Sequence, residues 1–423
     1  MSERLLVPSV AALAALTFLS IASAQADVLH MGGTRNADGS WSGLASLEMV
    51  TVGNPGNAPD TEVMISDKTT GYGAVDHVYQ IGKFEVTSAQ YVEFLNAVAK
   101  TDTYGLYDID MSWDPYGCQI VRSGTPGNYT YSVAPDRANR PVNKITWGDA
   151  VRFCNWLHNG QPTGAQDLTT TEDGAYFING ARQVEALMAV SRKENAKWFL
   201  PTEDEWYKAA YHKNDGDTGN YFDYPTTSDS VPGCDMSEAT NPGNNANYRD
   251  GDYLIGSPYY RTEVGQFGLS DSPYGTFDQG GNILEWNEAI ASSSSRALRG
   301  GRWNLGASLL HASSRVNIAP SSESISIGFR VACSPALVPG DTNNDGNVDE
   351  TDAATLAANW GKPGGWNQGD FNHDGVIDAV DASIMAANWG NVVGRESLTL
   401  PEPGSIVVLM CCLVSLLHWR RRP

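Results

Sequence analysis

Two stretches near the end of the chain carry oxygen-bearing side chains at the spacing that holds a hard divalent cation. In the first, Asp341, Asn343, Asp345, Asp349 and Asp352 fall at loop positions 1, 3, 5, 9 and 12; in the second, Asp370, Asn372, Asp374, Asp378 and Asp381 repeat them. Gly346 and Gly375 stand at position 6, where such a loop turns sharply. Asn347 and Val376 at position 7 offer a backbone carbonyl, and Val348 and Ile377 at position 8 are placed to pair across the two loops. Without an ion these carboxylates repel one another, so calcium is the expected cofactor and the loops are expected to order on binding it. A third candidate lies upstream, in YGTFDQGGNILEWNE (274–288). There the Gly280-Gly281 turn feeds a short strand, and the inward carboxylate of Glu285 makes the turn a candidate calcium corner.

The rest of the chain must position these groups. Its 423 residues are 41% hydrophobic, enough for two or three domains with a sizeable core. A formal charge of −21 excludes a large phosphate-neutralising surface, so no nucleic-acid partner is expected. Arg4, the mostly apolar run 5–22 and the A-x-A site Ala24-Gln25-Ala26 read as a secretory signal with the mature N-terminus near Asp27; a membrane anchor is the alternative. In an oxidising compartment Cys118, Cys154, Cys234 and Cys333 could form one or two disulfides, although Cys154 sits in a helical stretch where a buried free thiol is as reasonable. Residues 27–335 read as one loop-rich α+β domain with three convincing helices: SAQYVEFLNAVAK, capped by Thr87 or Ser88, TWGDAVRFCNWLHNG, stopped by Gly160, and TEDEWYKAAY, with a Thr202/Glu205 capping box. Glu203 and Glu205 are accounted for by the helix dipole. No H-E-x-x-H, G-x-S-x-G or Walker loop is present, and no two histidines stand i, i+4 on a helix.

Six segments in order, QIGKFEVTSAQYVEFL, RPVNKITWGDAVRFCNWL, FLPTEDEWYKAA, GTFDQGGNILEWNE, LRGGRWN and IGFRVA, resemble the formylglycine-generating enzyme, or sulfatase-modifying factor, family. The resemblance implies a C-type-lectin-like α+β fold with little regular secondary structure. It also implies calcium at the corner, through backbone oxygens near Gly281 and Ile283 and the carboxylate of Glu285, and places Asn247 in part of a second calcium site whose aspartate partner is not found at the expected spacing.

Enzymes of this family oxidise a cysteine of a client sulfatase with a C-x-x-x-x-C pair after a G-G turn, because paired thiolates hold Cu(I) and handle oxygen chemistry. Here Gly300-Gly301-Arg302-Trp303 is followed by NLGASLLHASSR, and the two cysteine positions fall on Leu305 and Leu310 in a shortened segment. Leucine binds no copper, and His311 is a single imidazole. No copper, and no catalytic residue, is therefore expected.

The acidic repeat, one short helix (353–360 and 382–389) after each loop and none before it, resembles a type I dockerin: a small all-α module of paired F-hands of the EF-hand type. That implies a cohesin-bearing partner, read at Glu350-Thr351 and Ala379-Val380. Pro401-Glu402-Pro403, an apolar run to Trp419 and Arg420 to Arg422 resemble a PEP-CTERM sorting tail, with a C-terminal hydrophobic helix that implies an exosortase as partner. The expected plan is a signal peptide (1–26), a sulfatase-modifying-factor-like domain (27–335), a linker (336–340), a dockerin-like repeat (341–390), a linker (391–400) and a sorting tail (401–423). Such a chain is an exported, envelope-sorted protein whose main domain binds an unknown polymer or envelope protein without catalysis. The alternatives are an active formylglycine-generating oxidase, or a component of an extracellular polysaccharide-degrading assembly.

Overall fold

The structure is a computed structural model that describes residues 27–29, 31, 34–35, 41–42, 46–237, 243–335, 338–343, 347–372 and 374–390. The secretory signal, Asp345, Gly346 and the sorting tail lie outside these residues.

Capping chemistry starts the three main helices, at the expected Thr87 and Thr202 and at Thr146, which the sequence reading did not single out. Thr87 opens Ser88–Val98, Thr146 opens Trp147–His158 and Thr202 opens Glu203–Tyr211, each in a reciprocal box with Gln90, Asp149 or Glu205. Tyr91, Phe94, Leu95 and Val98 of the first helix face the core. The middle helix does not have the single inward face that its spacing predicts: Trp147 through Leu157 are all buried. Its polar side chains are satisfied inside instead. Arg152 pairs with Glu172 at 2.7 Å, and Asn155 donates to the carbonyls of Thr171 and Tyr176 at 2.8 and 2.9 Å. Phe94 and Phe329 both meet Phe153 edge-on at 5.3 Å, which makes this helix the centre of the main core.

Two sheets flank that core. One has five antiparallel strands in the order Asp27–Leu29, Leu47–Val52, Tyr79–Gly82, Ala332–Cys333, Trp198–Phe199. The other has four, Val316–Ile318, Ser295–Arg299, Leu284–Ser292, Ile327–Phe329, the last pair parallel. Glu285 stands opposite both Arg299 and Gly328 in this sheet. Leu284 through Asn287 are buried on both faces, so the alternation read from the sequence does not separate an inner from an outer side. The architecture is therefore mixed α and β, and among the described residues no helix is long and apolar enough to cross a membrane.

A buried ion pair joins the sheets. Arg330 donates to both oxygens of Glu285, at 2.6 and 2.7 Å, and both side chains are 0% exposed. The same guanidinium reaches the carbonyls of Gly82 and Phe277 at 2.8 and 2.9 Å, and Trp206 Nε1 donates to Glu285 at 2.6 Å.

The acidic repeat has its own small core of Val348, Leu356, Phe371, Ile377 and Met385, with Ile384 and Trp389 packed against it. Val348 and Ile377 thus share one cluster, as the repeat pattern requires. Trp360, by contrast, is 36% exposed. The two helices run over Glu350–Asn359 and Ala379–Ala387 and start earlier than the sequence expectation of 353 and 382. The reason is capping: Asp349 and Asp378 are N-caps, and Asp352 and Asp381 close the boxes from the first turn.

Removing one partner of the buried pair leaves the other charged and desolvated. Arg330→Met is expected to destabilise the domain by about 3–5 kcal/mol, read as a lower urea midpoint in tryptophan fluorescence. Glu285→Leu combined with Arg330→Met should recover most of that loss.

Candidate functional site

Gly300 and Gly301, at φ +99° and +79°, turn the chain out of the strand Ser295–Arg299 toward the two positions aligned with the family's cysteine pair. A Cβ added at Gly301 would stand 2.7 Å from Leu310 Cδ1, so the leucine packs directly onto the turn. Leu310 is fully buried, with Tyr224, Ala246 and Tyr248 around it and Cys234 at its edge. Leu305 behaves differently. It is 39% exposed, and its carbonyl accepts from the Arg249 amide at 2.9 Å. One position fills the interior and the other lies on the surface, so they do not frame a common pocket.

Sulfur does not reach this place in a pair. Cys118, Cys154, Cys234 and Cys333 are all free thiols, and no disulfide joins the described residues. Cys333 lies in the main core, 3.4 Å from Gln80 Oε1, and only Cys234 borders Leu310. Burial pushes the Cys234 thiol above its ordinary pKa, which works against a reactive thiolate. His311 Nδ1 lies 2.7 Å from Ser313 Oγ, and its ring meets Tyr224 edge-on. Two leucines, one protonated thiol and one imidazole do not fit a Cu(I) centre built on a thiolate pair.

The expected calcium corner is divided. Gly281, at φ +89°, lets the chain approach Asn247 so closely that a Cβ would meet the Asn247 carbonyl oxygen at 2.4 Å. Asn247 Nδ2 donates to the Tyr260 carbonyl and to Asn282 Oδ1, while its Oδ1 is buried without a hydrogen-bond partner. Ile283 is buried next to the turn. Glu285, expected as the corner's carboxylate ligand, instead spends both oxygens on Arg330 and Trp206. A buried guanidinium, Arg261, next to Tyr260 in sequence, donates to the carbonyls of the distant Tyr116 and Gly117.

Two carboxyls that the sequence reading passed over surround Glu285 electrostatically. Glu85 is 1% exposed and neither of its oxygens has a hydrogen-bond partner. Burial, then the charges of Asp278 and Glu285, hold its pKa well above the usual carboxylate range. Burial also pushes Asp278 up to about 6, while its Oδ2 accepts from the Gly265 amide at 2.6 Å. Orphaned buried oxygens of this kind fit a cation, but among the described residues no three His, Cys, Asp or Glu side chains converge closely enough to hold one. Glu85 lies in the KFEVT segment and Asp278 in FDQGG, far apart in sequence, and nothing in either stretch marks its carboxyl as inward.

The acidic loops are better formed. In the second, Asp370 accepts from the amides of Asp374 and Gly375 at 3.2 and 2.9 Å, Asn372 Oδ1 accepts from Asp374, and Asp374 Oδ1 accepts from Val376. Asp381 closes the ring by accepting from Phe371 and Asp378 at 2.8 and 2.9 Å, and Asp378 caps the helix through Val380. In the first, Asp352 accepts from Thr342 and Asp349, both at 2.8 Å. Asp341 is buried, with its carbonyl accepting from Trp366 Nε1 at 2.7 Å, and Asn343 and Asn347 lie on the same loop. The donor set is all oxygen, the kind that calcium takes, and its carboxyls too do not converge in threes among the described residues.

Comparison with known proteins follows this geometry. Residues 53–335 match the sulfatase-modifying factor enzyme 1-like domain, and residues 339–388 match the dockerin type I domain. Solved structures similar to the chain include Treponema denticola variable protein 1, at 22% identity over 69% of this chain and 97% of that one, with a TM-score of 0.42. CarF is similar at 21% identity over 68% and 98%, TM-score 0.40, and PvdO from Pseudomonas aeruginosa at 17% over 68% and 94%, TM-score 0.41. A comparison with curated proteins gave no match. Since the first of these matches spans more than half of the sequence, the chain belongs to the sulfatase-modifying factor enzyme 1-like family and carries a type I dockerin domain.

Proposed function

We propose that this chain is a non-catalytic, calcium-dependent member of its family: a recognition domain that the dockerin docks to a cohesin-bearing partner. The observation that carries the reading is Leu310, buried against Gly301 where the oxidase would need a thiolate. Type I dockerins bind calcium and cohesins in general, and the loops around Asp370 and Asp381 supply the oxygen donors for it. The C-type-lectin-like fold, export through the N-terminal signal and surface sorting by the C-terminal tail, with an exosortase acting on it, belong to the same proposal. They rest on the sequence pattern of residues 1–26 and 401–423. A place in an extracellular polysaccharide-degrading assembly follows if the docking partner is a scaffold.

Two measurements test the reading. The full chain, incubated with copper, oxygen and a peptide carrying the sulfatase-type cysteine, should form no aldehyde above a heat-killed control; turnover would establish the oxidase instead. A cohesin module should capture the chain in calcium and release it in chelator. Asp381→Ala should weaken capture at least about tenfold by removing both a ligand and the capping box. Equal capture with and without calcium would refute the docking role.

A further inference from the structure

Four aromatic rings from separate parts of the chain meet beside the exposed Leu305. Ring centroids lie 4.6 Å apart for Tyr116 and Tyr260, 5.1 Å for Tyr260 and Trp303, 5.2 Å for Tyr253 and Trp303, and 5.6 Å for Tyr116 and Trp303. Rings at this spacing touch, so no guest fits between them. Their planes are tilted, by 24–56° in these pairs and by 88° between Tyr253 and Tyr260, so what they offer is a faceted outer surface on which Tyr253 is the exposed ring. Trp303 is its base at 1% exposure, Tyr253 is 40% exposed, and Tyr116 and Tyr260 are half-buried.

The backbone is committed to this arrangement. Tyr260 sits at φ +60°, a costly conformation for a tyrosine, and the Asn247 amide holds its carbonyl at 3.1 Å. Tyr253 ends the exposed hairpin formed by Arg249–Asp250 and Asp252–Tyr253, which is tied to Leu305 through the Arg249 amide. The rim is polar and of both signs. The Arg249 guanidinium lies 5.5 Å from the Tyr253 ring, Asp250 and Asp252 are exposed on the same hairpin, and the phenols add groups that both donate and accept. Beside them Trp303 Nε1 and Asn304 Oδ1, a donor and an acceptor, are buried with no hydrogen-bond partner among the described residues.

We propose that this face is a carbohydrate-binding platform that takes the ring face of a neutral polysaccharide chain. The inference rests on the reading of the domain as a binding module and names its ligand class. The C–H face of a pyranose stacks on a flat aromatic surface, and its hydroxyls donate and accept, as the rim does. A polyanion is opposed by the charge of −21, and an organic cation would compete at the exposed ring with the Arg249 guanidinium already 5.5 Å from its centroid. A purely apolar partner would leave Arg249, Asp250 and Asp252 desolvated and unpaired.

The test uses the full chain and soluble β-linked hexasaccharides of glucose, xylose and N-acetylglucosamine, with titration followed by calorimetry and tryptophan fluorescence. At least one should bind saturably, and Tyr253→Ala should weaken it about tenfold or more while leaving the thermal unfolding temperature unchanged. Tyr253→Phe, which keeps the ring, should retain most of the affinity. Binding that is equal in Tyr253→Ala and the parent, binding of none of the three sugars, or capture of a peptide by this face without sugar would each overturn the platform. Aldehyde formation, assayed on the same preparation, reads separately on the non-catalytic reading. Sugar binding with turnover would refute only that reading, and neither sugar binding nor turnover would refute only the platform.

Discussion

The Glu285–Arg330 pair is the constraint on which the main domain rests. One guanidinium, fully removed from water, binds a strand of the four-stranded sheet, the Gly82 carbonyl at the end of the central strand of the five-stranded sheet and the Phe277 carbonyl in the loop that leads to the glycine turn. A buried charge pair is tolerable only when each remaining lone pair and proton is satisfied, and here they are: Trp206 takes the oxygen that Arg330 shares. The geometry fixes the Gly280-Gly281 turn in position, and through it the approach of Asn247 and the start of the Gly300-Gly301 turn, whose Gly300 carbonyl accepts from the Gly281 amide.

On this frame the positions that the sequence resemblance aligns with the family's cysteine pair are occupied by leucines. Leu310 enters the space over Gly301, Leu305 moves to the surface, and the lone thiol nearby is kept protonated by burial. The surrounding loops make close backbone approaches that require glycine, as at Gly281 and Gly301.

Much of this was legible in the sequence because it is local. A capping box needs two residues three apart, and the Thr202/Glu205 box is found that way, while those at Thr87/Gln90 and Thr146/Asp149 are equally local. The calcium loops repeat their oxygens at a fixed spacing, which no other structure demands. Helix starts in the repeat were placed late because Asp349 and Asp378 were read only as ligands, although an aspartate before a helix is also a cap. What stayed hidden is non-local. Glu85, Asp278, Glu285 and Arg330 come from distant segments, and only the fold shows that Glu285 answers to an arginine while Glu85 is left with its oxygens unengaged. The ring cluster of Tyr116, Tyr253, Tyr260 and Trp303 is hidden for the same reason.

The strand Ala332–Cys333 is only two residues long, as is Trp198–Phe199, yet it sits inside the five-stranded sheet, between Tyr79–Gly82 and Trp198–Phe199. A nascent chain therefore lacks an interior strand of that sheet until almost the whole domain has been synthesised, and the Arg330 clasp arrives only two residues earlier. The domain closes late and all at once. Until then its N-terminal strands have an open edge, which a protease or a neighbouring chain can attack.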